Sequence, residues 1–125
     1  MKEESPFSCD MNAIAPEQRN AHLALIERLF QSVESILELP NGYKFQLSNE
    51  SEVLLAAAEF ISRERLCCPF FDFGLEVERE GGAVCLSLTG REGVKPFIMA
   101  EIGGHLTSKL LVSIGPILHN AADDS

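Results

Sequence analysis

The sequence predicts an α+β domain in which two β-hairpins share one four-stranded antiparallel sheet, with helices packed on a single face. Three observations predict it. Apolar residues recur at three- and four-residue spacing in the segment after Pro16 and again over Leu54–Ile61, as in helices that bury one stripe. The period drops to two around Pro40-Asn41-Gly42 and on either side of Gly81-Gly82, as in half-buried strands joined by tight turns. The segments follow the order α-ββ-α-ββ-α, so two hairpins with one apolar face each can join edge to edge under the helices. Pattern alone leaves the strand order open, because hairpins can join through several edges.

Pro16 suits the first turn of a helix, and Glu17 lies near the positive end of its dipole. His22, Leu23, Ile26, Leu29, Phe30 and Val33 form its expected inward stripe. Leu37 and Leu39, then Tyr43, Phe45 and Leu47, alternate with polar neighbours, and Asn41-Gly42 is expected to supply the positive-φ positions of the turn. Asn49 and Glu52 fit a capping box for a second helix with the stripe Leu54, Ala57, Ala58 and Ile61. That helix should end near Cys67, because Pro69 disfavours the α conformation at Cys68. Phe71, Phe73, Leu75 and Val77 then alternate with Asp72, Gly74, Glu76 and Glu78. Across the turn, Val84, Leu86 and Leu88 share one face, with Cys85 and Ser87 on the other. A short helix is expected around Val94–Ile102, stopped by Gly103-Gly104. The uncovered sheet face should carry Lys44, Gln46, Asp72, Glu76 and Ser87.

Residues 1–14 read as a flexible lead-in that Phe7 and Ile14 can pin, residues 15–118 as a single domain, and residues 119–125 as a frayed tail. Leu106, Leu110, Leu111 and Ile114 suggest a further helical turn or two. The apolar stretch Leu106–Leu118 has no evident partner in so small a domain, which points to a homodimer formed through it.

Nineteen acidic against ten basic residues leave a formal charge of −9, which argues against general nucleic-acid binding and against anionic membranes. No apolar run reaches the roughly 20 residues of a membrane span, and MKEESPFSCD lacks the apolar core of a secretory signal. A cytoplasmic location is the expectation. P-loop, Gly-x-Ser-x-Gly and Gly-x-Gly-x-x-Gly motifs do not occur, so the common NTPase, hydrolase and dinucleotide signatures are missing. Glu76, Glu78 and Glu80 read as a solvated strand face, and Thr89–Gly93 as a strand-to-helix turn.

The chemistry concentrates in the cysteines, of which there are four: Cys9, Cys67, Cys68 and Cys85. In a reducing compartment a disulfide framework is not expected. Cys85 sits inside a strand and reads as a small residue on the less buried face. Cys67-Cys68 joins the end of a helix to the start of a strand, where both thiols can turn toward one ligand. Glu64 lies one turn earlier, three and four residues before them. Two sulfurs and a carboxylate suit zinc or another thiophilic ion. Cys9 is the preferred fourth ligand, with His22 or His105 as replacements; His22 in its apolar stripe otherwise reads as a hydrogen-bonded core residue. The helix terminus should raise the thiol pKa values unless Arg63 and Arg65 fold back to offset it. Two other readings stand beside metal binding: a thiol-based redox enzyme with one cysteine as nucleophile, and an interaction module whose cysteines fill the core. No substrate class or small-molecule ligand is indicated by the residues.

The run Glu64-Arg65-x-Cys67-Cys68-Pro69-Phe70, with Phe73 and Leu75 after it and Leu39-Pro40-x-Gly42-Tyr43-x-Phe45 before it, resembles a family of small bacterial proteins of uncharacterised activity. The likeness spans most of residues 7–102, including Cys9 and the Arg19/His22 helix. It implies no catalytic residues.

Overall fold

A computed structural model describes residues 6–106. The chain runs through α1 (Pro16–Gln31), β1 (Val33–Leu39), β2 (Gly42–Leu47), α2 (Ser51–Cys67), β3 (Asp72–Val77), β4 (Val84–Thr89) and α3 (Val94–Ile102). Single 3₁₀ turns at Met11–Ala13 and Gly103–His105 flank them. The expected α-ββ-α-ββ-α order is therefore the observed one. The sheet order is β1-β2-β4-β3, antiparallel throughout, so the hairpins join through β2 and β4.

Register explains which face is buried. Tyr43, Phe45 and Leu47 stand opposite Leu88, Leu86 and Val84, and all six are buried. Phe73 and Leu75 continue that face on β3. The other face carries Lys44, Gln46, Cys85, Ser87 and Glu76, as the alternation requires, with Lys44 paired to Glu76 at 2.9 Å. The three helices cover the apolar face, and Phe30 of α1, Phe45 of β2 and Phe60 of α2 lock together edge to face, with centroids 5.4 Å apart for Phe30–Phe45 and for Phe30–Phe60.

Several local expectations are corrected. Val33 begins β1 rather than ending α1: the backbone N–H and hydroxyl of Ser32 both turn back to Leu29 O and close the helix. Val33 pairs with Leu47 but Ser35 pairs with Gln46, so Glu34 is an extra residue, a bulge that reverses the strand's parity. Ile36 consequently faces the core, while Leu37, expected inside, is 59 % exposed. Leu25 takes the buried place assigned to Leu23, which is exposed. In α2 the buried stripe is Ala57, Phe60, Glu64 and Cys67, turned away from the expected Leu54, Ala58 and Ile61. No capping box forms there; Glu50 is the N-cap residue, and Asn49 instead donates to Gly81 O at 2.9 Å.

The two turns also differ from each other. Asn41 and Gly42 have negative φ, and what Gly42 supplies is closeness: a Cβ there would collide with the Leu88 carbonyl oxygen and come within 2.7 Å of Thr89 Cα. At the other hairpin, Glu80 and Gly81 hold φ of 61° and 70°, so the left-handed residues of that turn are 80 and 81. Among the described residues, no helix is long and apolar enough to cross a membrane. The homodimer expectation and the tail at residues 119–125 rest mostly on residues beyond 106, outside those described.

Candidate metal centre

The site forms where α2 ends. Glu64 and Cys67 occupy the last two buried positions of its inward stripe, with 6 % and 1 % of their surface exposed. Cys68 leaves the helix at φ −128°, ψ 70°, its N–H still donating to Glu64 O at 2.8 Å. One helical residue followed by one outside the α region lets two adjacent side chains converge, and the Cys67 and Cys68 sulfurs lie 3.7 Å apart. Pro69 is the reason for the break, as its ring disfavours α geometry at the preceding residue.

The lead-in brings the third sulfur. Asp10 N–H donates to Cys67 O at 2.8 Å, and Arg19 Nε–H reaches both Met11 O (2.9 Å) and Ile14 O (3.0 Å). Ile14 is buried, and Phe7 packs between Phe70 and Phe97 at centroid distances of 5.2 and 5.9 Å. The Arg91 guanidinium lies 4.1 Å above the Phe7 ring. Thus anchored, Cys9 is joined to Cys68 by a disulfide with Cα atoms 4.8 Å apart. That overturns the expectation of an unlinked set. Reducing-compartment usage says nothing about proximity, and only the packing of residues 7–14 against the end of α2 brings these two sulfurs together. Cys67 and Cys85 are free thiols.

Glu64 is the hub. Its Oε1 accepts a hydrogen bond from His22 Nε2–H at 2.8 Å and lies 3.5 Å from Cys67 Sγ. Its Oε2 lies 3.5 Å from Cys68 Sγ. His22, from the buried stripe of α1, is completely enclosed and stacks on Phe60 at 6.1 Å, with Nδ1 unpartnered. It stands behind the carboxylate, in the core role its position suggested. His105 is not part of that cluster; it lines an open cavity of about 400 Å³ that also meets Cys9, Glu64, Cys67, Leu23 and Phe97.

Burial first, then the Glu64 charge and hydrogen bond, push the Cys67 thiol up to about 12. Arg63 does not offset this, being paired with Glu59 at 3.2 Å. The surroundings thus oppose a free thiolate and favour a positive charge among the donors. The four anticipated ligands come together: one donor atom from each of Cys9, Glu64, Cys67 and Cys68 lies within 4.8 Å of all the others. What the sequence reasoning missed is the His22–Glu64 pair, two polar residues 42 positions apart on the buried stripes of neighbouring helices. The signal was a histidine in one stripe and, with α2 correctly phased on Phe60, a carboxylate in the other. Comparison with protein-family models, curated proteins and solved structures finds no match, so any argument for function rests on this geometry.

Proposed function

We propose that the chain is an accessory protein that, with its cysteines reduced, binds a thiophilic metal or metalloid ion through Cys9, Cys67 and Cys68, with Glu64 as the fourth donor. The observation that carries this reading is the convergence of the four donor atoms. Tetrahedral zinc with Zn–S near 2.3 Å and Zn–O near 2.0 Å requires S···S about 3.8 Å and S···O about 3.5 Å. The Cys67–Cys68 separation of 3.7 Å matches the sulfur–sulfur edge, and the 3.5 Å from Glu64 Oε1 to Cys67 Sγ matches one carboxylate–sulfur edge, while the 3.5 Å contact to Cys68 Sγ is made by the other oxygen, Oε2. Three thiolates also suit softer ions such as trivalent arsenic, since thiolate ligands select for softness.

Electrostatics favour a cation over a redox nucleophile. Burial and the neighbouring Glu64 charge push the Cys67 thiol up to about 12, which disfavours its thiolate at neutral pH and works against a nucleophilic role. A bound cation reverses that logic, because metal coordination deprotonates thiols and the Glu64 charge then attracts instead of repelling. His22 would orient the carboxylate from behind, as outer hydrogen bonds do at metal sites. A reduced cysteine set belongs to a reducing compartment such as the cytoplasm.

The test is metal content of untagged protein purified anaerobically with reductant. One equivalent of zinc or another thiophilic metal, lost in Cys67→Ser, is the expected result. Failure of the reduced chain to take up zinc, cadmium or arsenite in titration would reject the reading.

A further inference from the structure

In the structure two of the three proposed sulfur ligands are bonded to each other, so the site requires a step that separates them. The three cysteines differ in exposure. Cys68 and Cys67 are 0 % and 1 % exposed, whereas Cys9 is half-buried and lines the cavity of about 400 Å³. Beside the sulfurs, the cavity wall includes Leu23, Ile26, Phe97 and Ile102 together with the carboxylates Glu64 and Glu101. That volume exceeds what a bare ion fills and lies at the low end for small-molecule sites. Its acidic groups disfavour anionic thiols.

We infer that this cavity receives a small uncharged dithiol, which opens the Cys9–Cys68 disulfide by attack on Cys9 Sγ and so assembles the three-sulfur set. The inference rests on the metal-binding reading for its purpose but not for its chemistry. One thiolate of the dithiol forms a bond to Cys9 Sγ. The Cys9–Cys68 bond breaks, and Cys68 leaves with the electron pair and takes up the proton given up by the dithiol. The second thiol of the same molecule then displaces Cys9, which takes up the second proton, and closes a cyclic disulfide. Two electrons pass from the dithiol to the protein, and Cys9 and Cys68 become thiols. Cys9 stays in place afterwards, because the Asp10–Cys67 hydrogen bond, the Arg19 clamp and the Phe7 stack hold its segment independently of the cross-link.

The experiment uses the oxidised full-length chain. Brief exposure to 2-mercaptoethanol, a neutral monothiol, followed by acid quench and peptide mass mapping, locates the mixed disulfide. Reduction by dithiothreitol is then timed for wild type and for Leu23→Trp, which narrows the cavity from an exposed position. The expected outcome is an adduct on Cys9 and several-fold slower reduction of Leu23→Trp, with both proteins reduced equally fast once unfolded in urea. An adduct on Cys68, or equal native rates, overturns the inference. Arsenite titration before and after reduction is scored separately. Uptake by the reduced form alone supports the inference, and equal uptake by the oxidised form overturns it. An adduct on Cys9 with no uptake after reduction leaves the exchange at Cys9 supported and rejects the metal-binding reading.

Discussion

Reducing the Cys9–Cys68 cross-link should cost the fold a large part of its stability. The bond closes a loop of 59 residues. The chain-entropy relation for a loop of that length gives about 14 cal/mol/K, or about 4 kcal/mol at 25 °C, chiefly by restricting the unfolded chain. Against a typical total of about 5–15 kcal/mol for a domain, that shifts a urea midpoint by well over 1 M for a slope of about 1–3 kcal/mol/M. The assay is equilibrium urea unfolding with a chelator present, comparing oxidised wild type, reduced wild type and Cys9→Ser. Cys9→Ser should match the reduced protein in both conditions, since it lacks the cross-link whatever the redox state. The unfolding slope should rise on reduction, because the freed unfolded chain exposes more surface. A difference below about 1 kcal/mol between oxidised and reduced wild type would refute the reasoning, as would a Cys9→Ser protein as stable as the oxidised one.

Further outcomes follow from three residues. Tyr43 is fully enclosed with an unpartnered hydroxyl, so Tyr43→Phe should be neutral or slightly stabilising in urea melts near pH 7. Burial and the nearby Glu38 push the Tyr43 phenol from 10.0 to about 12, so the unfolded chain loses that proton first and stability falls between those values; Tyr43→Phe flattens the decline. Cys67 contributes in the same direction from 9.0 upward, so the comparison belongs in a Cys67→Ser background. Gly42→Ala forces a methyl group against backbone at the end of β4, where the two inner strands meet beside the hairpin turn, and should cost at least the roughly 1–3 kcal/mol typical of overpacking, read from the urea midpoint. His22→Leu leaves the Glu64 carboxylate buried without its donor, which should cost about 1–3 kcal/mol of stability. The same variant should weaken metal binding by about 10–100-fold in competition with a chromophoric chelator.

The element order, both hairpins, the span of α3 and the inward set Tyr43, Phe45, Leu47, Val84, Leu86 and Leu88 were legible in the sequence, because periodicity and turn chemistry are local properties of the chain. The same holds for the break at Cys68, where Pro69 acts on its immediate neighbour. The bulge at Glu34 was not legible. Nothing in Val33–Leu39 by itself says that Val33 and Ile36, three residues apart, must both face inward; that follows from pairing with β2. The phase of α2 was misjudged for a related reason, since its many apolar residues allow several stripes and contact with α1 and the sheet selects the one through Phe60 and Glu64.

The candidate site divides along the same line. Cys67, Cys68 and Glu64 lie within one helical turn, and local geometry suffices to group them. Cys9 and His22 approach them from 59 and 42 residues away, and no local pattern encodes either meeting. Local preferences therefore determined the elements and the nearest ligands. The order β1-β2-β4-β3, the cross-link and the histidine behind the carboxylate were decided by tertiary packing, because they depend on which distant surfaces bury each other best.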